Sequence, residues 1–279
     1  IFLATLMAAG SRGDAALYVV IAIGSAMLLR ASWSKQLVVT CIAPLTATLL
    51  AFALFLTSRQ ATASVTGIQG GAAPGESGGG TGIQLLFHNA LHITSLWTGA
   101  LGDWGLGWLD TTMPDIVPAA STAAFVAVGF KGLQLMSRRK AVVVSGVVVL
   151  LAAIPLFVLQ QGGDAVGADV QPRYILPLIC ILGFVLVFES QRQSLTLSRA
   201  QRWAVVIALS TANAVALFAN IRRYVTGVDN PGLNLSNGAE WWWDMPVPPM
   251  ALWVIGSVTF ALLVTILVRA AHRDTRSHS

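Results

Sequence analysis

The basic stretch Ser137-Arg138-Arg139-Lys140 separates two apolar runs, Ile116 to Leu135 and Ala141 to Leu159. Each run is close to the roughly 20 apolar residues that a helix needs to cross the hydrocarbon core of a bilayer. Short connections rich in lysine and arginine lie on the cytoplasmic side of membrane proteins. This stretch therefore predicts two membrane-spanning helices joined by a cytoplasmic turn.

Similar apolar runs continue in both directions from this stretch. They are Ala15 to Leu29, Leu37 to Leu56, Tyr174 to Phe188, Trp203 to Asn220 and Met250 to Val268, while Ile1 to Ala9 is interpreted as the tail of a severed helix. We therefore predict an all-α polytopic integral membrane protein with about seven transmembrane helices plus the severed one. Because the chain opens inside an apolar run without Met, we expect it to be the C-terminal part of a longer protein.

Charged side chains are sorted between alternate connections. Twelve of the 17 lysines and arginines occupy every second connection: Arg30, Lys35, Lys131, Arg138, Arg139, Lys140, Arg192, Arg199, Arg202, Arg269, Arg273 and Arg276. Ten of the 12 acids occupy the opposite connections: Asp14, Glu76, Asp103, Asp110, Asp115, Asp164, Asp169, Asp229, Glu240 and Asp244. By the positive-inside rule, the basic connections and the C-terminus are cytoplasmic. Chemistry that needs a carboxylate is therefore expected at the outer face.

The composition excludes a water-soluble fold and a nucleic-acid-binding protein. Apolar residues make up 55% of the chain, charged residues only 10%, and the mean hydropathy is +0.72. The pI near 9.8 comes from basic residues spread over short loops, where they meet anionic lipid head groups. The excess of arginine over lysine is typical of a GC-rich bacterial genome. These features indicate a multi-pass protein of a bacterial cell membrane whose partners include membrane lipid.

The chain divides into six segments. We predict transmembrane helices over 1–57, a flexible glycine-rich outer linker over 58–84, an outer interfacial helix and loop over 85–115, transmembrane helices over 116–220, an outer Trp/Pro-rich loop over 221–249, and a final transmembrane helix with a basic cytoplasmic tail over 250–279. In the interfacial helix, helical spacing puts Leu86, Ala90, Ile93 and Trp97 on one face and His88, His92 and Ser95 on the other. The Trp241-Trp242-Trp243 run is typical of an anchor at head-group depth, with stacking on a sugar ring as the alternative.

Two predicted outer stretches carry a family resemblance. They are Leu106-Gly107-Trp108-Leu109-Asp110-Thr111-Thr112-Met113-Pro114 and Gln171-Pro172-Arg173-Tyr174-Ile175-Leu176-Pro177-Leu178. Together they resemble a poorly characterised bacterial family of polytopic membrane proteins grouped with the GT-C glycosyltransferase superfamily, over roughly Ser11 to Leu178. The resemblance implies a GT-C-like fold and an outward-facing site that takes a sugar from a polyprenyl-phosphate carrier to a polysaccharide or glycolipid acceptor.

Glycosyl transfer with inversion requires a carboxylate that accepts the proton of the acceptor hydroxyl. Asp110, which lies in the first matched stretch, and Asp103 are the candidate catalytic residues, and Trp108 is a candidate substrate contact. The alternative for Asp110 is a helix-start role, because an Asp-Thr pair before Pro114 can cap exposed amides. Superfamily enzymes usually place the essential acid in the first outer loop, which we expect to precede this chain.

Arg173 is the candidate phosphate ligand, because a guanidinium presents a planar fork of donors that matches phosphate oxygens. The alternative is that Arg173 snorkels or pairs with Asp164 or Asp169 to fix the loop. Tyr174 beside it is a substrate contact or an interfacial anchor.

His88 and His92 have the i, i+4 spacing of a two-imidazole metal site, but the nearby sequence offers no third ligand. We therefore place them among the substrate-contacting candidates or on the polar face of the helix, and predict no metal ligands. No cofactor is predicted, and a divalent ion stays an open question.

Three function classes follow from these observations. The first is a membrane glycosyltransferase of cell-envelope polysaccharide assembly. The second is a transporter or flippase of a lipid-linked saccharide, against which we note that Lys131 and Glu189 lie near predicted cytoplasmic helix ends rather than at mid-span. The third is a non-catalytic membrane scaffold.

Overall fold

A computed structural model describes most of the chain outside the predicted linker. The residues it describes are 7, 15–29, 39, 42, 44–50, 53, 82–104, 111–134, 136–167, 171–188, 197–230, 232–243 and 245–276. Helices joined by turns and loops account for these residues, and no β-strand occurs among them. The predicted all-α class is therefore confirmed over the described ranges.

The helices are labelled in chain order. They are α1 (Ala15–Leu29), α2 (Gly82–Thr98), α3 (Ile116–Leu133), α4 (Arg138–Gly162), α5 (Leu176–Val187), α6 (Arg199–Val225) and α7 (Pro249–Arg276). A π-helical turn, Gly99–Asp103, follows α2, and a 3₁₀ turn, Pro172–Tyr174, precedes α5. Among the described residues, α3, α4, α6 and the Pro249–Ala270 part of α7 are long and apolar enough to cross a membrane, whereas α1 and α5 are shorter apolar helices.

Two helices extend further than their apolar runs predicted. Helix α4 begins at Arg138 because the Ser137 side chain accepts a hydrogen bond from the Lys140 amide. Helix α6 begins at Arg199 because Ser198 and Gln201 form a capping box. An apolar run stops at the first charged residues, whereas the helix extends through them to the residue that caps its free backbone amides. The predicted outer loop 221–249 is corrected in the same way, because α6 continues to Val225.

Other predictions fall partly outside the described residues. Residues 44–50 are helical, as predicted for the run from Leu37 to Leu56. Most of the severed helix and residues 58–81 of the predicted linker lie outside the described ranges. The total of seven spans therefore stays a prediction.

The chain forms two compact units. Unit 1 comprises Ile1–Trp97 and Met136–Ser190, and unit 2 comprises Thr98–Leu135 and Gln191–Ser279. Unit 1 thus contains α1, α2, α4 and α5, while unit 2 contains α3, α6 and α7.

Within unit 1, the two ends of the helices differ in character. Leu28, near the end of α1, lines a cavity with Arg138 and Arg139 at the start of α4. At the start of α1, the Tyr18 hydroxyl donates to the Tyr174 carbonyl at 2.6 Å. We call these the basic end and the tyrosine end of unit 1. The assignment of these ends to the two sides of a membrane stays a prediction.

A proline in the middle of α4 creates a free backbone acceptor. Pro155 has no N–H, so the carbonyl of Leu151, four residues earlier, loses its helical hydrogen bond. The indole nitrogen Nε1 of Trp97, at the end of α2, donates to this carbonyl at 3.3 Å. In hydrocarbon an unpaired carbonyl costs several kcal/mol, so this contact both satisfies α4 and fixes the position of α2.

Within unit 2, α6 and α7 form an antiparallel pair, and α3 packs against α6. The Trp253 indole donates to the Ala214 carbonyl at 2.8 Å, and Met250 and Trp253 pack against Ile221 and Val225. The start of α6 therefore lies beside the end of α7, where both helices carry arginine. Many apolar side chains on the outside of α7 are exposed, as expected for a helix that faces lipid: Val254, Ile255, Val258, Leu262, Leu263, Ile266 and Leu267.

The connection between α6 and α7, residues 226–248, is named the tryptophan loop. Arg222 at the end of α6 donates to the carbonyls of Val228 and Asn230, and the Trp242 indole donates to the Val247 carbonyl at 3.1 Å. Trp241 and Trp243 are 53% and 56% exposed and touch edge to face. Hydrogen bonds therefore hold the tryptophan loop in a defined conformation, in which the indoles of Trp241 and Trp243 are exposed.

A double-mutant cycle tests whether the Trp97 indole satisfies the Leu151 carbonyl. Trp97→Phe should lower the free energy of unfolding by about 1 kcal/mol, because the Leu151 carbonyl loses its donor. In a Pro155→Ala background the new amide can bond Leu151, so the same substitution should cost close to nothing. SDS titration in mixed micelles measures both differences. An equal cost in the two backgrounds would contradict the assignment of this hydrogen bond.

Candidate functional site

The structure places the candidate residues in two different units. Arg173, Tyr174, His88 and His92 belong to unit 1, whereas Asp103 belongs to unit 2. Asp110 and Trp108 lie outside the described residues.

Arg173 and Tyr174 sit on a fixed turn at the tyrosine end of unit 1. Pro172 is buried, and its carbonyl accepts a hydrogen bond from the Ile175 amide at 3.1 Å. The Tyr18 hydroxyl holds the Tyr174 carbonyl from the neighbouring helix. Proline presets the backbone torsion that such a turn needs, and Pro177 then lies in the first turn of α5. The sequence Pro172-Arg173-Tyr174 therefore positions Arg173 just before the short apolar helix α5.

The Arg173 side chain is exposed. Its guanidinium carbon lies 5.6 Å from the centroid of the Tyr174 ring, a loose cation–π contact. Asp164 is buried and its backbone carbonyl accepts from Asn89, while Asp169 lies outside the described ranges. The alternative in which Arg173 pairs with one of these two acids stays a prediction.

Asn89 was not singled out by the sequence, yet it organises the tyrosine end. Its side chain is completely buried, donates to the Asp164 carbonyl at 2.9 Å, and accepts from the Val166 amide at 2.8 Å. These bonds tie α2 to the loop that follows α4. The signal in the sequence was an amide on the same helical face as Ile93 and Leu96, both of which are buried.

His88 and His92 lie on the exposed side of α2. Their rings are stacked with centroids 4.3 Å apart, and Nδ1 of His92 lies 2.8 Å from the His88 carbonyl. Since a carbonyl can only accept, this contact requires a proton on Nδ1 of His92. No group of three or more metal-ligating side chains occurs among the described residues. Contact of the two histidines with a substrate stays a prediction.

Asp103 closes the π-helical turn after α2. Its Oδ2 atom accepts a hydrogen bond from the Thr98 hydroxyl at 3.2 Å, and its side chain is exposed. Gly102 allows this turn, because its φ of +113° disfavours other residues and a Cβ there would lie 2.9 Å from the Val117 side chain. Asp103 therefore combines a local structural bond with an accessible carboxylate.

Thr111 belongs to the first matched stretch and has an unusual environment. Its side chain is buried, and its hydroxyl has no hydrogen-bond partner among the described residues. Such a group costs free energy unless a partner satisfies it.

The chain belongs to a family of predicted membrane proteins, DUF2142, whose model matches residues 1–182. A comparison with curated proteins found no match, and neither did a comparison with solved structures. The matched region contains both stretches that suggested a family resemblance, and it ends within α5. Family membership thus confirms a membrane protein, while α6, the tryptophan loop and α7 lie beyond the match.

The tie between α2 and α4 predicts a large effect for one substitution. Asn89→Ala leaves the Asp164 carbonyl and the Val166 amide unpaired in a buried site, so the free energy of unfolding should fall by about 2 kcal/mol. The exposed Thr94 on the same helix supplies the control, since Thr94→Ala should change it by less than about 0.5 kcal/mol. Hydrogen exchange at Val166 should accelerate only in the Asn89 variant. Similar exchange in both variants would show that Asn89 does not hold the loop.

Proposed function

We propose that this protein is a membrane glycosyltransferase of cell-envelope assembly. It transfers a sugar from a polyprenyl-phosphate carrier to an extracytoplasmic polysaccharide or glycolipid acceptor. In the proposed orientation, the basic end of unit 1 and the C-terminus are cytoplasmic and the tyrosine end faces outward. The observation that carries the proposal is Arg173, an exposed arginine on a rigid turn at the start of a membrane helix.

A lipid-linked phosphate meets the requirements of this position. A polyprenyl chain lies in the hydrocarbon, so its phosphate stays at the interface, where Arg173 precedes α5. Arginine binds phosphate through two parallel charge-assisted hydrogen bonds. A fixed backbone lowers the entropy lost when the ligand binds, and the Tyr18 to Tyr174 hydrogen bond provides that rigidity.

The proposed reaction assigns the other residues by their chemistry. The oxygen of the acceptor hydroxyl attacks the anomeric carbon, and the bond from this carbon to the phosphate oxygen breaks. Polyprenyl phosphate leaves with the electron pair, and Arg173 stabilises its developing charge. The proton acceptor is assigned by residue chemistry rather than by a shared pocket, and the candidate carboxylates are Asp103 and Asp110. Trp108, Tyr174 and the two histidines are the proposed sugar contacts, and no metal is required by this scheme.

The donor is tested by native mass spectrometry of the protein purified from its own membrane. We expect a polyprenyl-phosphate sugar to co-purify with the wild type and to disappear in Arg173→Ala, because the phosphate loses both of its strong donors. Arg173→Lys should retain less lipid than the wild type, since an ammonium cannot form the bidentate contact.

The matched control is Arg138→Ala at the basic end of the same unit, which removes an equal charge. Retention of the lipid in this variant is expected. If no polyprenyl lipid is found in any sample, or if Arg138→Ala loses it equally, the assignment of Arg173 is wrong and transport or scaffolding becomes the better explanation.

The base is tested by Asp103→Asn and Asp110→Asn, each assayed for sugar transfer in membranes at equal expression. The essential acid should lose about 10²- to 10⁴-fold in turnover, because an amide cannot accept the proton. In Asp103→Asn, the new side-chain amide oxygen can still accept the hydrogen bond from the Thr98 hydroxyl, so the free energy of unfolding should not change. Thr98→Val removes the turn bond and keeps the carboxylate, and it should retain activity. Full activity in both Asp variants would exclude these two acids.

A further inference from the structure

A cationic cavity lies between the start of α6 and the end of α7 in unit 2. It has a volume of about 180 Å³. We call it the arginine groove, and its lining residues are Arg199, Arg202, Trp203, Val206, Thr265, Val268 and Arg269. None of these lining residues is acidic, so three guanidinium groups share one cavity without a carboxylate of that lining set to neutralise them.

The position of two of these arginines is electrostatically unfavourable. Arg199 and Arg202 lie in the first turn of α6, where the helix macrodipole is positive. The capping box of Ser198 and Gln201 satisfies backbone amides there but contributes no negative charge. Arg269 approaches from α7 and adds a third positive charge. An anion in the groove would relieve the mutual repulsion and the unfavourable dipole together.

Beside the arginines, the groove is lined by one aromatic, two aliphatic and one hydroxyl side chain. Trp203 is 45% exposed, Val206 and Val268 are apolar, and the Thr265 hydroxyl is used within α7, where it donates to the Ala261 carbonyl. Next to Val268, α7 exposes Leu263, Ile266 and Leu267. Tryptophan is enriched where membrane proteins cross the interface. The groove thus combines three cationic donors with apolar lining residues, and α7 exposes further apolar side chains close to Val268, which suits an anion that carries an acyl chain.

We propose that the arginine groove binds the head-group phosphate of an anionic phospholipid. Arg199, Arg202 and Arg269 contact the phosphate, while the acyl chains follow the apolar side of α7. By the positive-inside rule this lipid belongs to the cytoplasmic leaflet. The site lies beyond the region matched by the family and shares no residue with the proposed glycosyl-transfer site.

The test uses the purified protein in detergent with added lipids of identical acyl chains. Native mass spectrometry should show retention of phosphatidylglycerol in preference to phosphatidylcholine. In Arg199→Gln/Arg269→Gln, retention of phosphatidylglycerol should fall about tenfold or more, as expected from roughly 1 kcal/mol for each arginine near an anionic head group. The matched control, Arg138→Gln/Arg139→Gln, removes the same charge from unit 1 and should retain it.

Other outcomes would overturn the proposal. Equal losses in the two double variants would mean that only overall charge matters. Displacement of the lipid by millimolar inorganic phosphate would indicate a site for a free anion, because such a ligand lacks the acyl contacts. Arg202→Gln, which leaves the capping box intact, serves as a second variant if the double one unfolds, and unchanged lipid retention in a folded Arg202→Gln would also contradict the site.

Discussion

The backbone of a membrane helix has no water to bond with, so each of its polar groups must find a partner inside the protein. This constraint explains why the described residues are helical and why the exceptions are so specific. Pro155 breaks one hydrogen bond of α4, and the Trp97 indole replaces the missing donor at Leu151. The same requirement accounts for Asn89, whose amide satisfies both a carbonyl and an amide of the loop after α4. The helix α2 is held in place because it supplies these partners.

A second constraint acts on the positions of the arginines. The two sides of a membrane differ in how readily basic residues are placed there. Arg138 and Arg139 lie at one end of unit 1, while the turn of Arg173 lies at the other. Arginine therefore occurs in two settings in one unit. At the basic end it is one of several neighbouring basic residues, and at the tyrosine end it is an exposed residue on a turn held by hydrogen bonds. An exposed guanidinium on such a turn is a stronger indication of a ligand than the residue type alone.

The sequence predicted the class, the helices and their order well, because hydropathy and loop charge are set by the bilayer itself. It predicted α1 to the residue, whereas α4 and α6 extend beyond their apolar runs because serine caps determine where they begin. Arg173 could be singled out as a candidate because its charge and the proline beside it are visible in the chain, and its role stays a prediction. Asn89 and the arginine groove were not predicted, because each depends on which residues from distant helices meet. Packing of this kind leaves only a weak trace in one sequence.

The shortness of α5 has a consequence for the membrane around unit 1. Its 12 residues span about 18 Å, whereas the 25 residues of α4 span about 37 Å and a typical hydrocarbon core is about 30 Å thick. In the proposed arrangement, in which α5 crosses the bilayer, this hydrophobic mismatch favours a local thinning of the bilayer beside it. A thinned leaflet brings head groups and water down toward the start of α5, so that a lipid-borne group could reach Arg173 without leaving the membrane.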